Sequence, residues 1–210
     1  MTGSARPPWW LIVFGGALFI GLIGAVATSL NRPTPLVFSI TRRAPTEIGD
    51  SLVSGRVTLD ARSAERWSFF DFSRNAAVEA PDALGWDVAV RRTSWMVNGG
   101  DGFSGRGGAR TSDLDYDDLQ AAPGGTYSGT IISAGDSATA AFDRWYRYDF
   151  LSHLLWPRPV SFVIRTADGR FAKLEIESYY CPGPEPGCVS FRYTYQGNGS
   201  DELGSSGTLR

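Results

Sequence analysis

Residues Trp9 to Leu30 read WWLIVFGGALFIGLIGAVATSL, an apolar run without a single charged side chain, and the chain contains no second run like it. At 1.5 Å per residue a helix of about twenty residues crosses a hydrocarbon core of roughly 30 Å, and it satisfies its own backbone groups where no water can. That segment dictates a bitopic layout. Residues 1–8 form a short tail, 9–30 a transmembrane helix, 31–50 a Pro-containing neck, 51–196 a globular domain and 197–210 a flexible Gly/Ser-rich tail. The rival reading is a cleaved signal peptide with Ala25-Val26-Ala27 as its small-residue site. The run is longer than an ordinary signal core and only Arg6 precedes it as a basic side chain, so a retained anchor is expected.

Within the run, Ala17, Gly21 and Ala25 fall at i, i+4 and i+8 on one helix face. Small residues at that spacing let a second helix approach closely, so they are the expected helix-packing interface. Trp9 and Trp10 stand where an aromatic belt meets the headgroups, just after Pro7 and Pro8, which suit a helix start. The expected partners are the lipid bilayer and other membrane-protein subunits.

The chain beyond the helix is long enough for one domain with a real core. A net charge of −2 provides no basic surface for nucleic acid. Aromatics at 13%, 25 glycines and scarce helical periodicity point to a mainly β fold with many turns. Strand-like segments are Arg56–Leu59, Trp67–Phe72, Gly85–Val97, Val160–Thr166, Phe171–Ser178 and Val189–Tyr195. Ala167-Asp168-Gly169 joins two of them as a hairpin. Trp67, Phe69, Trp86 and Trp145 are the expected aromatic core. The neck, NRPTPLVFSITRRAP, reads as a semi-rigid spacer or as a strap lying on a partner.

Cys181 and Cys188 bracket the Pro/Gly-rich stretch CPGPEPGC between two strand-like segments. Two cysteines and one histidine cannot close a structural zinc site, so a disulfide across a hairpin loop is expected, and with it an oxidising compartment. Flanking charge votes weakly the other way, because Arg32, Arg42 and Arg43 lie on the C-terminal side of the helix. The cysteines take precedence: the N-terminus is read as cytoplasmic and the domain as periplasmic, in a bacterial inner membrane.

Reactive constellations are scarce. Asp113, Asp115, Asp117 and Asp118 lack the glycine and glutamate of a calcium loop and read as a solvated loop. NGGDGFSGRGG has no GK[ST] and reads as a tight β-connection. Asp87 is spaced to pair with Arg91 or Arg92 along one strand. No nucleophile elbow accompanies the lone His153, so no enzyme and no metal site is expected.

Taken in order, Trp67, Phe69, Phe70 and Phe72, then Trp86–Arg92 (WDVAVRR), Asn98-Gly99-Gly100, Ser104-Gly105, Arg165–Tyr180 and Phe191–Gln196 resemble the HmuY family of bacterial exported proteins. The resemblance covers roughly residues 52–196. It implies an all-β extracytoplasmic domain, and founding members are haem-binding lipoproteins. Here a membrane helix stands in place of a lipidated cysteine. A haem held from both sides needs two ligands such as His or Met. The domain offers only Met96 and His153, the former reading as core filler and the latter as a satisfied, partly buried histidine. The expectation is therefore a non-catalytic, cofactor-free accessory subunit of a larger membrane complex, respiratory or photosynthetic among the candidates. A membrane-tethered haem-binding or haem-transfer protein is the alternative.

Overall fold

The computed structural model describes residues 8–30, 32–39, 52–79, 82–183 and 185–204. Residues 1–7, 31, 40–51, 80–81, 184 and 205–210, which include the second half of the neck, lie outside the described residues. The apolar run forms one helix, α1 (Trp9–Leu30), with its described side chains exposed along its whole length. Its Trp9–Thr28 portion is long and apolar enough to cross a membrane.

Thirteen strands are present among the described residues: β1 (Leu52–Asp60), β2 (Ser68–Asp71), β3 (Ala76–Val78), β4 (Val88–Arg91), β5 (Ser94–Val97), β6 (Gly108–Ser112), β7 (Ile131–Ser133), β8 (Asp136–Ala138), β9 (Tyr146–Asp149), β10 (Leu154–Pro157), β11 (Ser161–Arg165), β12 (Phe171–Tyr180) and β13 (Pro186–Gln196). A five-stranded antiparallel sheet runs β1-β13-β12-β11-β6, and a four-stranded one runs β3-β2-β4-β5. β7–β8 and β9–β10 are separate hairpins.

Period-two alternation packs the two sheets face to face. Phe70, Val88, Val90, Trp95 and Val97 of the smaller sheet point inward against Val57, Leu59, Ile164, Leu174, Ile176 and Phe191 of the larger. Phe70 meets Phe191 and Tyr193 edge-on, at centroid distances of 5.5 and 5.4 Å. Trp145 belongs to this core as expected. Trp67, Phe69 and Trp86 do not: they sit with Met96 and Phe103 in a separate cluster on the outer face of the smaller sheet.

Three expectations need correction. Gly85–Val97 is not one strand, because the chain reverses after Arg91 with Arg92 at φ 53°. Asp87 does not pair with either arginine. Its buried carboxylate accepts the Phe72 and Ala167 backbone N–H groups, both at 2.9 Å, and ties three connections together. Arg91 instead bridges to Asp136 and lies over the Trp67 ring. The tail is not loose over its first half. Leu203 is fully buried beside Leu119 and Val163, and its N–H donates to the Gln120 carbonyl at 2.7 Å.

The described part of the neck, residues 32–39, is a strap on its own domain. The Ser190 hydroxyl donates to the Leu36 carbonyl, the Leu36 N–H reaches the Ser178 hydroxyl at 3.4 Å, and the Phe38 N–H reaches the Thr58 hydroxyl at 2.8 Å. Arg56 then covers the Phe38 ring. A row of hydroxyls on the outer face of the larger sheet thus satisfies backbone groups that would otherwise need another strand.

Candidate functional site

The Gly-rich run proves structural. A side chain at Gly99 would meet the Gly107 carbonyl at 2.2 Å, and one at Gly107 would meet the Asn98 carbonyl at 2.4 Å. Only glycine permits that approach. Buried Asn98 donates to the Ala83 and Trp86 carbonyls at 3.1 and 2.9 Å, while its side-chain oxygen accepts the Gly105 N–H at 3.3 Å. These residues hold connections together.

Two large surface clefts hold charged groups already engaged with one another. In one of about 710 Å³, Arg192 pairs with Glu175 at 2.6 Å and with Asp117 at 3.1 Å. In the same cleft Lys173 Nζ donates to the Tyr116 and Leu119 carbonyls, each at 2.8 Å. Another, of about 910 Å³, is walled by Arg62, which pairs with Asp60 at 2.7 Å and Glu185 at 3.4 Å. Among the described residues no three His, Cys, Asp or Glu side chains converge as a metal cage.

The remaining candidate is built around the only histidine in the chain. β9 and β10 are joined by Phe150–His153. The Asp149 carboxylate shapes this turn by accepting the Leu151 and Ser152 N–H groups at 2.9 and 3.3 Å, and those bonds hold its pKa below the ordinary value. His153 closes the turn at φ 56°, a left-handed conformation that histidine adopts more readily than most residues. Its side chain is exposed, not the satisfied, partly buried histidine expected. Nδ1 is hydrogen-bonded to the Tyr148 hydroxyl, and the Tyr148 and Phe150 rings lie 6.0 Å away on either contact. Nε2 has no protein partner among the described residues.

Beside His153 opens a cleft of about 440 Å³, lined by Leu154, Leu155, Tyr179, Tyr180, Pro186 and Arg92, whose guanidinium also donates to the Arg62 carbonyl at 3.1 Å. Tyr180 is fixed by accepting the Leu155 N–H at 2.8 Å. Burial pushes the Tyr179 phenol up, so it stays neutral. The arrangement offers one imidazole nitrogen, flat apolar walls and one cation. Flat aromatic molecules with an anionic edge suit such a cleft.

Met96 is not brought to it. It is 4% exposed in the outer-face cluster under Trp86 and Phe103, apart from the walls of the His153 cleft. β-Alternation explains this: Trp95 and Val97 face the core, so Met96 must face the other way. Cys181 and Cys188 form the expected disulfide across the β12–β13 connection. Ala17 and Gly21 line a shallow apolar groove with Phe14, Leu18 and Leu22 on the exposed helix. Trp9 and Trp10 are exposed at its start. The cleft is not legible in the sequence because Arg92, Tyr148 and Tyr180 are far apart along the chain and carry no shared motif.

No curated protein matches the chain. The HmuY protein family matches over residues 63–193. The fold is similar to the apo HmuY analogue of Tannerella forsythia, with a TM-score of 0.55 at 18% identity over 70% of this chain and 97% of that one. A Bacteroides vulgatus protein described as HmuY-like and heme binding gives a TM-score of 0.55 at 18% identity, over 68% and 92% of the two chains. Apo PinO from Porphyromonas gingivitis gives 0.53 at 13% identity, over 70% and 97%. Since the family match spans more than half of the 210 residues and agrees with this fold, the chain is a member of the HmuY family carrying an N-terminal apolar helix.

Proposed function

We propose that this chain is a membrane-tethered, extracytoplasmic, non-enzymatic haem-binding module whose ligand enters the His153 cleft. The observation that carries the reading is the exposed imidazole with Nδ1 held by Tyr148 and Nε2 free, on the edge of an aromatic cleft in an HmuY-family domain. The residues fit a haem held from one side. His153 Nε2 would hold the iron, Tyr148 would fix the imidazole ring, Leu154, Leu155 and Tyr179 would supply apolar walls, and Arg92 would meet a propionate. They do not fit a His–Met pair, since Met96 is walled off by Trp86 and Phe103. Bound haem supplies a redox-active iron; the chain's own residues bind it, orient it and limit its contact with water. The disulfide and the family's exported relatives support a periplasmic domain on an inner-membrane helix.

Titration of the full-length protein in detergent with haemin tests this. The reading expects a Soret band that saturates near one haem per chain, is lost in His153→Ala and survives in Met96→Ala. No spectral change on titration, or unchanged binding by His153→Ala, would overturn it.

A second reading takes up the apolar groove that Ala17 and Gly21 line on α1. A single-pass accessory subunit of a larger membrane complex would bury that face, with Ala25 extending it. Gly21→Leu then releases the chain from a stoichiometric set of co-purifying membrane proteins; unchanged co-purification contradicts it.

A further inference from the structure

We propose that the tip of the β9–β10 hairpin, Phe150 and Leu151, docks into the interfacial layer of the same bilayer that α1 crosses. It stands apart from the haem reading and concerns how the domain sits on its membrane.

The first observation is the tip itself. Phe150 and Leu151 are 78% and 71% exposed, side by side at the end of a hairpin, with half-exposed Tyr148 next to them. Two adjacent large apolar side chains on a projecting turn are costly in water and need a partner. Their presentation is rigid, because the Asp149 carboxylate accepts the Leu151 and Ser152 N–H groups and ties the turn together.

The second observation is the strap, which decides what the partner is. The strap enters the domain at Leu36, bonded to Ser178 of β12 and Ser190 of β13, close to the Cys181–Cys188 connection. That is the end of the sheet where β10 packs on β12 and Leu155 bonds Tyr180. The hairpin and the strap's entry therefore share one end of the domain. Five residues separate Leu30 at the end of α1 from Leu36, a reach of at most about 20 Å. The tether thus keeps this end of the domain beside the headgroups.

The third is charge. Exposed Arg147 stands on β9 three residues from Phe150, whereas exposed Arg144 and Arg158 lie at the opposite, open end of the hairpin. One cation beside an apolar tip suits the headgroup layer of a lipid surface. The occupant is the bilayer, and the His153 cleft then opens at the membrane surface.

Labelling tests the idea in the intact chain, because both native cysteines are tied up in the disulfide. A fluorophore on Leu151→Cys, in full-length protein reconstituted into phosphatidylcholine/phosphatidylglycerol vesicles, should be quenched several-fold by lipids spin-labelled near the headgroup. The same label on Asn198→Cys, beyond β13 at the opposite end of the sheet, should not be. Phe150→Glu should abolish the Leu151 quenching. Equal quenching at both sites, quenching that survives Phe150→Glu, or a Leu151 label shielded from water yet untouched by lipid quenchers (a protein partner) would each overturn the proposal.

Discussion

Asp87 shows how much of this fold hangs on single side chains. Its carboxyl is buried, bridges the Phe72 and Ala167 backbone N–H groups, and is pushed up to about 7 by burial and by the nearby Asp71 carboxylate. Between its ordinary value of 3.8 and about 7 the folded chain holds a proton that the unfolded chain releases. This group's contribution to stability therefore falls as pH rises across that window and is level above it. Urea unfolding at pH 5 and pH 7.5 should show the folded state less stable at the higher pH through this group. Asp87→Asn should remove that difference while costing about 1–3 kcal/mol, since an amide nitrogen then faces a backbone N–H. Lys173 is the other such residue. It is 4% exposed and donates to two carbonyls of the acidic loop. Lys173→Met should destabilise by about 1–3 kcal/mol and speed hydrogen exchange over residues 115–120. The sequence marks Asp87 and Asn98 as motif residues, but not what they do. The partners of Asp87, Phe72 and Ala167, lie 15 and 80 positions away. His153 is visible as a lone histidine; its cleft is not, since Tyr179 and Arg92 reach it only through the fold.

Elements are legible where local chemistry decides them. The apolar run is a helix, the Ala167-Asp168-Gly169 turn links β11 to β12, and the cysteines close the β12–β13 connection. The reversal at Arg92 is hidden because no glycine or asparagine announces it, and the left-handed turn is held from outside by the Ala61 carbonyl at 2.8 Å. The placement of Trp67, Phe69 and Trp86 is hidden too: an aromatic-rich strand reads as core on both faces until the second sheet picks one. Replacing both cysteines with serine removes a cross-link at a sequence separation of 7 and should cost about 2 kcal/mol in urea unfolding, without changing the sheet order. The strap depends on hydroxyls. Thr58→Val removes the acceptor of the Phe38 N–H and a partner of Ser190. It should raise hydrogen exchange at residues 36–38 and leave the core unchanged.

At the scale of the molecule, a sandwich with its own core is tethered through a short strap to a helix that contributes nothing to that core. A chain beginning at residue 31 should thus fold and leave the membrane fraction, with the unfolding midpoint of the full-length domain. The family supplies the scaffold and its motifs encode that scaffold; the proposed ligand chemistry rests on one histidine and its cleft. The most direct measurement is an absorption spectrum of the full-length protein purified from its own membrane in mild detergent, with mass spectrometry on the same fraction. A Soret band that stays with this chain through every column and is absent from His153→Ala is the predicted result. A colourless chain that takes up no haemin and travels in fixed proportion with other membrane proteins would contradict the haem reading and leave the subunit reading in its place.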